Sequence, residues 1–151
     1  MDTIEEYALK LGKFWVNFNT LELLLRIYLA KSRGDSESGL ELQVGDSCST
    51  TYLTNYDTFG ILANRYNSTV PSSDQIDQVE IVRLRDAIAH GRSITKDEIH
   101  MTLLKFSKPD RKSGMVKVVF REVLTGEYLD RVARTMHDAA MKIHQRIENE
   151  F

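Results

Sequence analysis

At 151 residues, 42% hydrophobic and 28% charged with a formal net charge of −2, the chain has the composition of a soluble globular protein and the length of one domain, residues 1–151. No stretch approaches the roughly 18 uninterrupted apolar residues of a membrane span, and the opening "MDTIEEYALKLGK" carries acids where a secretion signal needs positive charge; the expectation is a cytoplasmic protein without a membrane partner. Cys48 is the lone cysteine, which excludes an intramolecular disulfide and a thiolate metal cage within one chain, and without a secretory route the Asn67-Ser68-Thr69 glycosylation match reads as accidental.

Ile4, Tyr7, Leu11, Phe14, Trp15, Phe18, Leu21, Leu25, Tyr28 and Leu29 recur at three- and four-residue spacing, which predicts a long first helix of about 42 Å. Its stripe is wide and aromatic, suited to the centre of a bundle with apolar surface left for a subunit contact. Asn17, Asn19 and Glu22 beside that stripe either line a cleft or, for Glu22 with Arg26 four residues on, form an ordinary helical ion pair. Residues 32–51, with "SRGDSESG" and "VGDSCSTT", read as a loop in which Leu40, Leu42 and Val44 alternate as a short strand would. A second helix is predicted over Leu53 to Arg65, and Pro71 precedes a third that Ser73 or Asp74 caps and that carries Ile76, Val79, Val82 and Leu84.

That third helix runs into "IVRLRDAIAHGR" and is predicted to end at Gly91, in the left-handed conformation that glycine tolerates past a helix. Beyond it, "EIHMTLLKF" and "MVKVVFREV" have β character and flank the turn residues of "SKPDRKSG", the pattern of a hairpin. Thr125 then caps a last helix from Gly126 to about Glu148, with Leu129, Val132, Ala133, Met136, Ala140, Ile143 and Ile147 on its buried side.

Charge is distributed unevenly. Residues 1–50 hold 5 basic and 8 acidic side chains, residues 51–100 hold 5 and 7, and residues 101–151 hold 10 and 7. Lys105, Lys108, Arg111, Lys112, Lys117 and Arg121 face only Asp110, so this segment is a candidate surface for a polyanion, or a hairpin whose lysines block edge pairing.

Ahead of that field lies a second constellation, Arg85, Asp86 and His90. Five helical residues rotate a side chain by about 140°, so Arg85 and His90 do not share a face, whereas Asp86 and His90, four apart, do. A carboxylate there is placed to fix the tautomer of the imidazole. The plain alternative is a histidine placed in the last turn by the helix dipole. His137 and His144 are too far apart along one helix to share a metal, and no zincin, Walker or dinucleotide string is present.

"RDAIAHG" resembles the signature of HEPN domains, in which an arginine followed by Asn, Asp or His precedes a histidine by four to six intervening residues; "LGKFWVNFNTLELLLRIYLAK" is similar to the long first helix of several bacterial members. The resemblance implies a mainly α fold, an up-and-down bundle of four to five helices, here with a β-hairpin inserted before the last. It also implies a homodimer in whose cleft the arginines and histidines of both copies cut RNA with neither metal nor cofactor. On that reading the catalytic residues are Arg85, which holds the phosphate, His90, which moves a proton, and Asp86, which positions His90. The function implied is a single-stranded-RNA endonuclease of bacterial toxin or phage-defence type, with RNA as substrate, Lys105, Lys108, Arg111, Lys112, Lys117 and Arg121 as candidate RNA-binding residues, and an antitoxin protein as a candidate partner. The alternatives are a non-catalytic HEPN module binding a nucleotide, RNA or protein, and an unrelated helical interaction protein.

Overall fold

The computed structural model describes residues 2–35, 38–95 and 99–151. Ser36 and Glu37 of the predicted loop and Glu98 of the first predicted strand lie outside the described residues. The fold is mainly helical, with a three-stranded antiparallel sheet before the last helix: α1 (Ile4–Arg33), α2 (Phe59–Thr69), α3 (Val79–His90), β1 (Arg92–Thr95), β2 (Met101–Phe106), β3 (Val118–Leu124) and α4 (Gly126–Glu150). Among the described residues no helix is long and apolar enough to cross a membrane. The chain forms two compact units, one of Met1–Trp15 with Val79–Ala133 and one of Val16–Gln78 with Arg134–Phe151.

The second unit is helical. Leu21 and Leu25 of α1, Leu62 of α2 and Met136 and Ile143 of α4 are fully buried, and Phe18 meets Phe59 while Tyr28 meets Tyr66 edge-on, with ring centroids 5.2 and 5.0 Å apart. Apolar burial of this kind stabilises by about 1.5–3 kcal/mol per large side chain. The predicted α1 stripe is therefore largely core, but Trp15 and Ile4 are exposed, as are Leu9, Val16 and Leu23.

α2 begins at Phe59 instead of Leu53 because Arg26 claims the intervening backbone. Its guanidinium donates to the carbonyls of Tyr52, Asn55 and Asp57 as well as to Glu22, so those oxygens cannot all serve a helical ladder. The Glu22–Arg26 pair thus anchors a loop as well as a helix face. Thr58 then caps α2 by accepting from Ile61 N. α3 likewise starts late: Asn67 bonds both the N–H and the carbonyl of Ile76, each at 2.9 Å, which holds that residue outside the helix and buried after a 3-10 turn at Ser72–Asp74. Ile81, Leu84 and Ala87 are the buried side of α3, while the predicted Val79 is exposed. Leu40 lies in a 3-10 turn, Ser38–Glu41, and not in a strand.

In the first unit, β1 pairs with β2 and β2 with β3, which extends the predicted hairpin by one strand. Thr125 Oγ1 accepts from Tyr128 N and caps α4 as the sequence suggests; its buried side takes Ala139 in place of Ala140. Gly91 ends α3 for a different reason than predicted. Its φ is not among the positive ones; instead a Cβ there would overlap the carbonyl oxygens of Ala87 and Leu104, so the bare backbone lets β2 approach the end of the helix.

Candidate functional site

α3 runs unbroken through Arg85 and His90, so helix geometry turns the two side chains about 140° apart, and one chain does not bring them together. Asp86 and His90 do meet. Nε2 of His90 stands 3.8 Å from Oδ1 of Asp86, with the imidazole 66% exposed at the helix end. Among the described residues Arg85 has no ion-pair partner.

Lys105 completes this cluster in a way the sequence did not reveal. From β2 its ammonium reaches the second carboxylate oxygen of Asp86, leaving Oδ1 to face His90. Asp86 therefore lies between two cationic or protonatable groups, and Lys105, assigned from sequence to an RNA-binding surface, is instead turned to α3 and half-buried. Strand alternation explains this. Lys105 is opposite Phe120, whose ring lies 5.7 Å below the Arg83 guanidinium, so this face of the sheet is the one that packs on α3. Arg121 is opposite Leu104 and so projects from the other face.

The rest of the basic run, Lys108, Arg111, Lys112 and Lys117, is exposed at the hairpin tip. The one acid among them, Asp110, is taken up by the turn: its Oδ1 accepts from the N–H groups of Lys112 and Ser113 and from the Ser113 hydroxyl. Those backbone donors hold its carboxyl below the ordinary aspartate range. Gly114, at φ 68°, supplies the left-handed residue that closes this turn.

Elsewhere, Arg131 is held by both oxygens of Glu80 at 2.9 and 2.7 Å, and its guanidinium lowers the Glu80 carboxyl. His144 faces Glu148 at 3.6 Å, and Cys48 is exposed. Among the described residues no three His, Cys, Asp or Glu side chains are grouped to hold a metal ion. An apolar cavity of about 370 Å³ lies between Leu11, Phe14, Trp15, Ile88 and Leu103.

In comparisons with family models, curated proteins and solved structures, nothing matches this chain.

Proposed function

We propose that the chain is a HEPN-type endoribonuclease that cuts single-stranded RNA in the cleft of a homodimer, acting in the cytoplasm as a toxin or defence effector with an antitoxin as partner. The observation that carries this reading is the exposed His90 facing Asp86 at the end of α3, one helix turn from an Arg85 with no ion-pair partner among the described residues. Because the guanidinium and the imidazole diverge on one helix, the reading needs two copies, each supplying groups to a shared groove.

The chemistry required matches these groups. One imidazole removes the proton of the ribose 2′-hydroxyl, whose oxygen forms a bond to phosphorus while the bond to the 5′-oxygen breaks. The leaving oxygen takes a proton from water as it departs, and a 2′,3′-cyclic phosphate remains. Arg85 holds the non-bridging oxygens as their negative charge grows, for which a planar guanidinium is suited. Asp86 orients His90, and Lys105 draws off part of that carboxylate's charge.

Incubation with single-stranded RNA in excess chelator, beside His90→Ala, tests the proposal. Cyclic-phosphate products from the wild type alone support it. Binding without cleavage by either protein favours the non-catalytic module, and neither binding nor cleavage leaves a helical interaction protein.

A further inference from the structure

The register of the sheet sorts its side chains by charge. On the face turned to α3 lie Lys105, opposed by Phe120, and Leu103, opposed by Glu122. The other face carries a cross-strand row of Arg92, Leu104 and Arg121, then Phe106 opposite Val118, with Ile94, Thr102 and Val123 in the row on the far side. No acid stands in these three rows. Arg92, Arg121, Phe106 and Val118 are exposed, Phe106 at 43% and Val118 at 53%. Two arginines thus flank a leucine across about 9.5 Å of sheet, the span of two strand spacings, with an exposed phenyl ring in the adjoining row. β1 starts two residues after His90, so the row opens beside the helix end that carries the proposed catalytic imidazole.

We propose that this outer face of the sheet is the platform on which single-stranded RNA lies, with phosphates on Arg92 and Arg121 and a base stacked on Phe106. The inference rests on the ribonuclease reading for the nature of the occupant but names a surface that reading does not contain. Charge complementarity selects a polyanion, and an exposed aromatic ring among arginines selects one with flat bases. Sequence-tolerant stacking on an exposed ring needs no deep pocket. It also separates residues that the linear charge count lumps together: Arg92 and Phe106 join the surface, and Lys105 leaves it.

The probe is a fluorescein-labelled 2′-O-methyl oligouridine, which has no free 2′-hydroxyl and stays intact whether or not the protein is a nuclease. Anisotropy titration of the wild-type chain is expected to show binding that weakens with salt. Phe106→Ala is expected to weaken it roughly five- to hundredfold, the range for losing a stacked base, while Phe106→Tyr retains it. Arg121→Ala is expected to reduce the slope of log affinity against log salt by about 0.7, one phosphate contact on a single strand. All of these side chains are exposed, so circular dichroism is expected to be unchanged. Absence of binding at low salt overturns the proposal, as does binding that is indifferent to Phe106→Ala or that falls only when Lys108, Arg111 and Lys112 are neutralised. Because the oligonucleotide cannot be cut, a positive result beside an absent nuclease activity would sink the catalytic reading and leave the platform standing.

Discussion

Replacing Gly91 by alanine places a methyl group against two backbone oxygens that have no room to withdraw. The Ala87 oxygen accepts the Gly91 N–H at 2.7 Å, so moving it stretches the last hydrogen bond of α3. The Leu104 oxygen belongs to β2, where Leu104 is paired with Arg92, so moving it opens the first step of the β1–β2 ladder. Overpacking costs about 1–3 kcal/mol, and one weakened backbone hydrogen bond adds about 1 kcal/mol, for a total of about 2–4 kcal/mol. At about 2–4 °C per kcal/mol for a chain of this size, Gly91→Ala is expected to melt about 4–16 °C below the wild type, measured by far-ultraviolet circular dichroism. Gly91→Asn is the discriminating variant. A left-handed glycine cap accepts asparagine at little cost, whereas close approach rejects it as strongly as alanine. Melting within about 2 °C of the wild type for Gly91→Ala, or tolerance of asparagine alone, would refute the argument.

Three further outcomes concern the loop before α2, the helical core and the buried tyrosines. Arg26→Met leaves the carbonyls of Tyr52, Asn55 and Asp57 without their shared donor, so hydrogen exchange is expected to accelerate across residues 51–58 ahead of the buried turns of α1. Leu21→Ala, which empties a fully buried site in α1, is expected to cost about 2–5 kcal/mol in denaturant unfolding, against less than about 0.5 kcal/mol for exposed Leu9→Ala. Burial raises the Tyr66 and Tyr128 hydroxyls from 10.0 to about 12. The folded state holds these protons more tightly than the unfolded one, so their contribution to stability is complete below pH 10 and is lost as pH rises toward 12. Burial raises the Tyr28 hydroxyl as well, so absorbance at 295 nm is expected to show three of the six tyrosines titrating late, and Tyr66→Phe with Tyr128→Phe to remove most of that component and leave Tyr28.

The parts of the fold that were legible in the sequence are those set by periodicity or by one local hydrogen bond. The α1 stripe, the α4 stripe with its Thr125 cap, and the two alternating runs of the hairpin belong to this group. The parts that were not legible are set by a distant partner. Nothing near Leu53 announces that Arg26 takes its neighbours' carbonyls, and nothing near Ile76 announces that Asn67 takes up its backbone groups. β1 was missed because all four of its residues are exposed, which erases the alternation that marks a half-buried strand. At the candidate site the helical spacing of Asp86 and His90 was readable. The role of Lys105 was not, because it depends on the hairpin register, and a shift of one residue would turn it to the opposite face.

The claim on which the functional account turns is that the working site is assembled from two copies. Arg85→Ala and His90→Ala, each purified and shown to be dead on single-stranded RNA, are mixed in equal amounts and allowed to exchange subunits. About half of the resulting dimers then carry one intact arginine and one intact histidine in a shared groove. The account expects cleavage to reappear in the mixture and in neither parent. A mixture that exchanges subunits and stays silent, or a monomer that cuts RNA alone, would contradict it.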